Sequence, residues 1–483
     1  MRRSSQAANS AFMLTGQFFG KGLLFVSMML LSRHLPDKDF GSFLFLIVLG
    51  QVYLFVADMG VSLILNSRSS LRPEDTQDLF SSSFSLRIIF AASGFPLLIL
   101  SGVLLGMTSD RLAVLAVIGL SVAFEAFAEL FYSVFRSREK MEFESVSRIL
   151  KGLSGLICIL LAIHFNAGLL VIALTFVFRA FVAMIVAFVN LKKVNISAVP
   201  ILDTSKLREL LLAALPLGIM GLVTILHLRA DNVVIRQIMG ESAVAAWQEC
   251  LRLVELLILL VAPTLLPGAL FPALCRSFRD GAYREKVESM ARVFTCMAVA
   301  FTLPVWSTGT AFLRLVWGND YLRGIDHGDI QLCLYFALSG LLIVYLMHIL
   351  LASLLAVNRV KVVIPVTGAA LLLVVVSNWL LLPELGITSA GMMFLAGNLF
   401  IVISYWIFLR KRGYHISIWK PVLLSLLPVV PAASAAFIIS NSHMALRLLL
   451  PTAIYVPLWI VTGGWRAVRT VFPFISESAH SWS

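Results

Sequence analysis

Apolar residues in this chain come in long runs separated by short charged connections, and that pattern leaves few folds open. The runs cover 11–32, 41–65, 82–106, 112–135, 149–165, 167–190, 210–235, 246–274, 288–313, 328–357, 361–382, 388–409, 420–440 and 445–465. Each is long enough for a helix across a roughly 30 Å hydrocarbon layer. None alternates apolar and polar residues as a barrel strand would. Of 483 residues, 59% are hydrophobic and 13% charged, where a soluble domain would carry about a quarter charged. The expectation is an all-α membrane protein of about 14 transmembrane helices, because only helices and closed barrels satisfy their backbone polar groups inside lipid. Between the spans no segment is long enough to fold alone. Met1-Arg2-Arg3 precedes an apolar stretch too long for a cleavable signal peptide, with no small-residue cleavage site, and reads as an anchor for the first span.

Charge orders the spans. With the N-terminus inside, 26 of the 38 Lys and Arg residues fall in connections on the cytoplasmic side, 7 on the other side and 5 within spans. This bias places both termini in the cytoplasm. It also accounts for the net charge of +12 without invoking nucleic acid. The five cysteines are scattered through apolar segments without a CxxC pair, so they read as buried free thiols rather than metal or redox groups.

The longest polar connection, 191–209, contains Pro200 and follows the sixth span. It reads as a cytoplasmic linker between an N-terminal lobe, 1–190 (spans one to six), and a C-terminal lobe, 210–409 (spans seven to twelve). Residues 410–483 then supply two extra helices and a cytoplasmic tail. Internal repetition is a mark of transporters. Here Ser32–Gly41 and Ile235–Glu241 share an Arg, an apolar residue two positions on, a turn and an acid.

Ionisable groups inside the spans are costly and usually face a cavity or a partner. Lys21, Arg179 and Glu125 lie near the middle of spans one, six and four. Glu129 is one turn beyond Glu125, Asp58 is within span two, and Arg229 and Asp231 are in the outer half of span seven. The functional reading gives Lys21, Arg179 and Arg229 to a phosphate-bearing substrate. It gives Asp58, Glu125, Glu129 and Asp231 to a coupling ion. The bland reading pairs them within the bundle, Lys21 with Asp58 or Arg179 with Glu125. Lys21 and Arg179 have no opposite charge one turn away on the same helix, which favours a cavity for these two. Arg87 is close enough to its span end to snorkel. Arg252 has Glu249 and Glu255 at i−3 and i+3, a local ion-pair cluster. The lone histidines His227 and His348 read as packed. Acids 139, 142 and 144 alternate with bases and read as a solvated face.

Catalytic and cofactor motifs are missing. There is no Walker A loop, no HExxH and no paired-carboxylate set outside the spans. Pro216, Pro263, Pro267, Pro272, Pro304 and Pro365 fall in or at spans of the second half, where proline can bend a helix.

Several segments carry a family likeness. They are Leu30–Arg33 with Asp39–Phe43 after the first span; Ala57-Asp58-Met59-Gly60, a D-x-G element; and Pro216-Leu217-Gly218 followed by Arg229-Ala230-Asp231. Two more are Ala246–Glu255 with Phe271-Pro272, and Asn378–Gly391, an N-x-x-L-x-P-x-x-G turn. In these the chain resembles the polysaccharide transporters of the multidrug/oligosaccharidyl-lipid/polysaccharide exporter superfamily, the Wzx-type flippases. The resemblance implies two six-helix lobes in a V, alternating access, and a place in the bacterial inner membrane. It implies an undecaprenyl-diphosphate-linked oligosaccharide as cargo, flipped from the cytoplasmic to the periplasmic leaflet for O-antigen, capsule or exopolysaccharide. Proton (H+) or sodium (Na+) antiport is the implied drive. Membrane lipids, a polysaccharide polymerase and chain-length machinery are the implied partners. The chain departs from the pattern at Arg68, about one position late after D-x-G, and at Ile387-Thr388-Ser389-Ala390, where a glycine is usual. The same fold could serve a lipid II flippase or a multidrug antiporter, although the latter would want fewer cavity cations. A polymerase or ligase would want a larger loop than 314–327, and a scaffold leaves Lys21 and Arg179 unexplained.

Overall fold

The structure is a computed structural model that describes residues 2–265, 274, 277, 281–319, 321–357, 359–439 and 443–471, with the backbone alone at 2–11, 14, 259–265 and 360. Every regular element among the described residues is helical. Among the described residues, twelve stretches are long and apolar enough to cross a membrane. They coincide with twelve of the fourteen expected spans. Of the remaining two, 11–32 falls on the helix Arg2–His34, and 246–265 of the other falls on Glu241–Leu265, with 266–273 outside the described residues.

The chain divides into two compact units, Met1–Arg236 with Gly240–Ala245, and Gln237–Met239 with Ala246–Ser483. The 191–209 connection lies within the first.

The first unit holds α1 (Arg2–His34), α2 (Asp37–Asp58), α3 (Val61–Leu71), α4 (Thr76–Leu104), α5 (Ser109–Ser137), α6 (Met141–His164), α7 (Leu169–Leu191) and α8 (Thr204–Arg229), then most of α9 (Asp231–Met239). Lipid tails are as apolar as leucine, so helices associate through close fit rather than hydrophobic exclusion. Small residues provide it. Gly16 and Gly20 let α1 lie along α6: a Cβ at Gly16 would come within 2.6 Å of the Ser145 Cα, and one at Gly20 within 3.1 Å of the Arg148 carbonyl oxygen. At the other crossing, α8 meets the break between α2 and α3. A Cβ at Gly218 would approach the Met59 carbonyl to 2.5 Å, and one at Gly60 the Ala214 carbonyl to 2.7 Å. Phe80, Phe84, Phe127, Phe131 and Phe188 form a connected aromatic cluster with centroids 5.6–6.4 Å apart, each pair adding about 0.5–1.5 kcal/mol. Asp203 starts α8 by accepting from the Ser205 and Lys206 N–H groups.

The second unit holds α10 (Glu241–Leu265) from Ala246 onward, α11 (Tyr283–Thr308), α12 (Thr310–Trp317), α13 (His327–Ala356), α14 (Val363–Leu385) and α15 (Thr388–Lys411). It ends in a hairpin of α16 (Trp419–Leu426) and α17 (Val429–Ile438) with α18 (Met444–Trp459) and α19 (Trp465–Val471). A π-helical turn, Ile460–Gly464, joins the last two. α13 packs along α15, and α11 contacts α13 and the terminal hairpin.

One helix interruption inside a span falls at a proline, Leu427-Pro428 between α16 and α17, but others do not. Pro216 and Pro304 sit inside continuous helices, and Pro365 lies in the first turn of α14, where no donor is lost. Pro267, Pro272 and the Phe271-Pro272 element lie outside the described residues, as does Cys275. Other described breaks fall at Met59-Gly60 and Gly463, with φ of 41°, 79° and 90°, and at Ala230.

Candidate functional site

All seven residues singled out in the sequence belong to the first unit. The structure brings only some of them together.

Asp58 ends α2, and its carboxylate is fully engaged. Oδ2 accepts from the Gly60 N–H at 3.1 Å, and Oδ1 from the Ser62 hydroxyl and from the Arg87 guanidinium of α4. Arg87 also donates to the Ala57 carbonyl at 3.1 Å and to Ser62 Oγ at 2.7 Å. Arg87 therefore does not snorkel. It is fully buried, and it clamps the α2–α3 break from the side. Arg229 and Asp231 flank the α8–α9 break, where Asp231 is buried and accepts from the Asn232 N–H and side-chain amide at 2.8 and 2.7 Å. Lys21 is exposed on α1.

Glu125, Glu129 and Arg179 belong to one network across α5, α6 and α7. Glu129 accepts from Arg148 at 2.6 Å and Arg136 at 3.2 Å. The same two arginines grip Glu144, Arg136 through two hydrogen bonds of 2.6 and 2.8 Å and Arg148 through Nε at 2.9 Å. Two carboxylates and two guanidiniums thus close a ring. Glu144 is 1% exposed, so the solvated-face reading of the 139–144 acids fails there: the helix begins at Met141 and turns Glu144 inward.

One turn along, Glu125 pairs with Lys151 and interacts electrostatically with Arg179. Lys151 is the residue sequence reasoning missed, because at the very start of the 149–165 run it counts with the basic residues of the preceding connection. It lies ten residues into α6, and its spacing of three from Arg148 could have placed it on the same face. The Arg179 guanidinium lies 5.0 Å from the Phe176 ring centre and against Gly155, where a Cβ would come within 3.0 Å of Arg179 Cδ. Arg179 is buried, yet its Nε has no hydrogen-bond partner among the described residues. The network holds four cations (Arg136, Arg148, Lys151, Arg179) and three carboxylates (Glu125, Glu129, Glu144). The uncompensated charge is positive and lies at the Lys151–Arg179 end.

A cleft of about 580 Å³ in the same unit does not reach this network. Two of its three cations face carboxylates, Arg68 with Glu209 at 3.0 Å and Lys206 with Asp78 at 2.8 Å. In the second unit Glu249 pairs with Arg323 at 2.7 Å, both buried, an ion pair that the local Arg252 cluster did not anticipate. Three Asp, Glu, His or Cys groups placed to hold a metal ion are not found among the described residues.

Such a fold, with buried charge inside its spans, is that of a polytopic helical membrane protein. The family model for polysaccharide biosynthesis proteins matches residues 7–278, and the chain belongs to that family. No curated protein sequence matches the chain significantly. Among solved structures, the lipid II flippase MurJ in an inward closed conformation superposes with a TM-score of 0.72 at 13% identity, over 95% of this chain and 98% of that one. An inward-facing multidrug resistance MATE family transporter of the MOP superfamily gives 0.64 at 13%, over 82% and 94%. A MOP superfamily transporter from Pyrococcus furiosus gives 0.60 at 14%, over 84% and 95%. The chain thus shares the fold of these transporters.

Proposed function

We propose that the protein flips an undecaprenyl-diphosphate-linked oligosaccharide repeat unit from the cytoplasmic to the periplasmic leaflet of a bacterial inner membrane, by alternating access, for cell-surface polysaccharide assembly. The observation that carries this is the single carboxylate, Glu125, facing two cations, Lys151 and Arg179, deep in the spans. A buried excess cation is costly until an anion joins it. A diphosphate is such an anion, and it cannot cross hydrocarbon without replacing its lost hydration. Lys21 and Arg229 are further candidates to meet the phosphates or sugar. Glu125 is the favoured coupling acid: cargo phosphate displaces it as counter-ion, leaving it free to take up H+. Asp58 and Glu129 already satisfy arginines, so they support the frame in this reading. A cationic drug would meet the wrong sign of charge at Arg179.

The test is a deletion strain from which lipid-linked intermediates are extracted. Single repeat units accumulate unpolymerised on the cytoplasmic leaflet and the plasmid-borne gene restores export. Normal surface polysaccharide in the deletion strain, with no redundant transporter present, would remove the proposal.

A further inference from the structure

The second unit carries a basic pocket that the transport proposal does not use. It is a cavity of about 270 Å³ at the end of the unit where α11 and α16 begin and α19 finishes. Arg284, Glu285, Glu288 and Arg292 of α11 line it, with Lys420 of α16 and Arg466 of α19. Glu288 is already compensated: its Oε1 accepts from Arg284 Nε at 2.8 Å and from the Ser417 N–H at 3.1 Å. That leaves Arg292, Lys420 and Arg466 against the exposed Glu285, a surplus of positive charge. Arg292 is held in place by donating Nη2 to the Thr462 carbonyl oxygen, and its Nε has no partner among the described residues.

The backbone is shaped around this guanidinium. The π turn at Ile460–Gly464 contains Gly463 at φ 90°, a conformation L side chains rarely adopt. The same glycine lies beside Arg292, where a Cβ would stand 3.5 Å from Nη1. The neighbouring surface is apolar and open: Leu423 is 64% exposed, Leu427 60% and Val461 82%. The Met444–Val471 span is the least enclosed of the twelve, with 17% of its apolar window buried. Cations at a helix end with bare apolar surface running along the span match a phosphate headgroup above acyl chains.

We propose that this pocket binds the headgroup of an anionic phospholipid, with its chains lying along the α16–α18 face. A free phosphate shares the headgroup chemistry but would gain nothing from Leu423, Leu427 and Val461. The site is independent of the cargo reading, so either can fail alone.

Native mass spectrometry of the full-length protein in detergent tests it, with dioleoylphosphatidylglycerol against dioleoylphosphatidylcholine. Wild type retains phosphatidylglycerol preferentially. The double variant K420Q/R466Q, which removes two exposed side chains outside any described ion pair, loses retention roughly ten-fold. The charge-matched control K411Q/R412Q keeps it. R292Q, which also frees the Thr462 carbonyl, lowers retention further, and melting curves of all variants check that they are folded. Equal retention of the two lipids by wild type overturns the proposal, as does equal loss in K420Q/R466Q and in the control. Displacement of the lipid by glycerol 3-phosphate as effectively as by phosphatidylglycerol assigns the pocket to a soluble phosphate and overturns the lipid reading.

Discussion

Arg87 and Arg179 both carry a guanidinium into the first unit, yet they meet different surroundings. Arg87 reaches Asp58, Ser62 and the Ala57 carbonyl. Arg179 reaches the face of Phe176 and shares Glu125 with Lys151. Arg87→Ala should therefore strand the Asp58 carboxylate and destabilise the protein by about 3–5 kcal/mol, read as a lower melting temperature in detergent and reduced membrane yield. Arg179→Ala should leave melting and insertion close to wild type while export of surface polysaccharide is lost. Wild-type export from that variant would make the charge structural. Glu125→Gln removes the resting counter-ion of Lys151 and Arg179, so cargo binding should persist while the response of flipping to an imposed pH gradient, measured in proteoliposomes, disappears. Depth within a span marked Arg179, Glu125 and Glu129 in the sequence, because hydropathy alone fixes depth. The Arg179–Glu125 pairing was legible, but the other partners were not. Lys151 and Glu144 looked like loop charges, since only the packing of α5 against α6 tells which way residues 141–151 face.

At the scale of elements, the D-x-G and Pro-Leu-Gly segments become two sides of one joint. Asp58 accepts from the Gly60 N–H before α3 and the Ser62 N–H in its first turn, Met59 and Gly60 take left-handed conformations, and Gly218 lets α8 touch that turn. Gly218→Leu would drive a side chain into the Met59 backbone, so it should prevent stable assembly of the first unit; membrane yield and limited proteolysis give the readout. The Asn378–Gly391 segment is a second such joint. Gly386 turns the chain at φ 56°, buried Ser389 donates to the Gly386 carbonyl at 3.0 Å and lies 3.4 Å from Asn378 Oδ1, and Gly391 lets α15 approach the Cys333 backbone. The serine where the family has glycine thus acquires a use, a hydroxyl tying the turn to α14. These joints were visible as motifs. Their meaning was not, because each depends on a backbone more than 50 residues away in sequence.

For the whole molecule, hydropathy fixed the number and place of the spans closely, since a membrane helix is specified by its own segment. The lopsided distribution of Lys and Arg predicts the orientation. Single cysteines at Ser197 and Asn166, in a version lacking the native thiols, should label from opposite faces of intact cells, Asn166→Cys from outside. Reaction of Ser197→Cys with an impermeant reagent in unbroken cells would invert the topology. The grouping of helices was less legible, because the chain's polar connections do not mark which helices touch. The first unit extends through α8, beyond the 191–209 connection.

The glycine contact between α1 and α6 has a mechanical consequence. Backbones that close cannot slide past one another without unseating Gly16 and Gly20 from Ser145 and Arg148, and the Ser145 hydroxyl is bonded across to the Phe12 carbonyl. The two helices therefore form a single rigid beam. In any cycle that rearranges this protein the two helices are expected to move together, and a pair of spin labels, one on each helix, should report the same separation in every state.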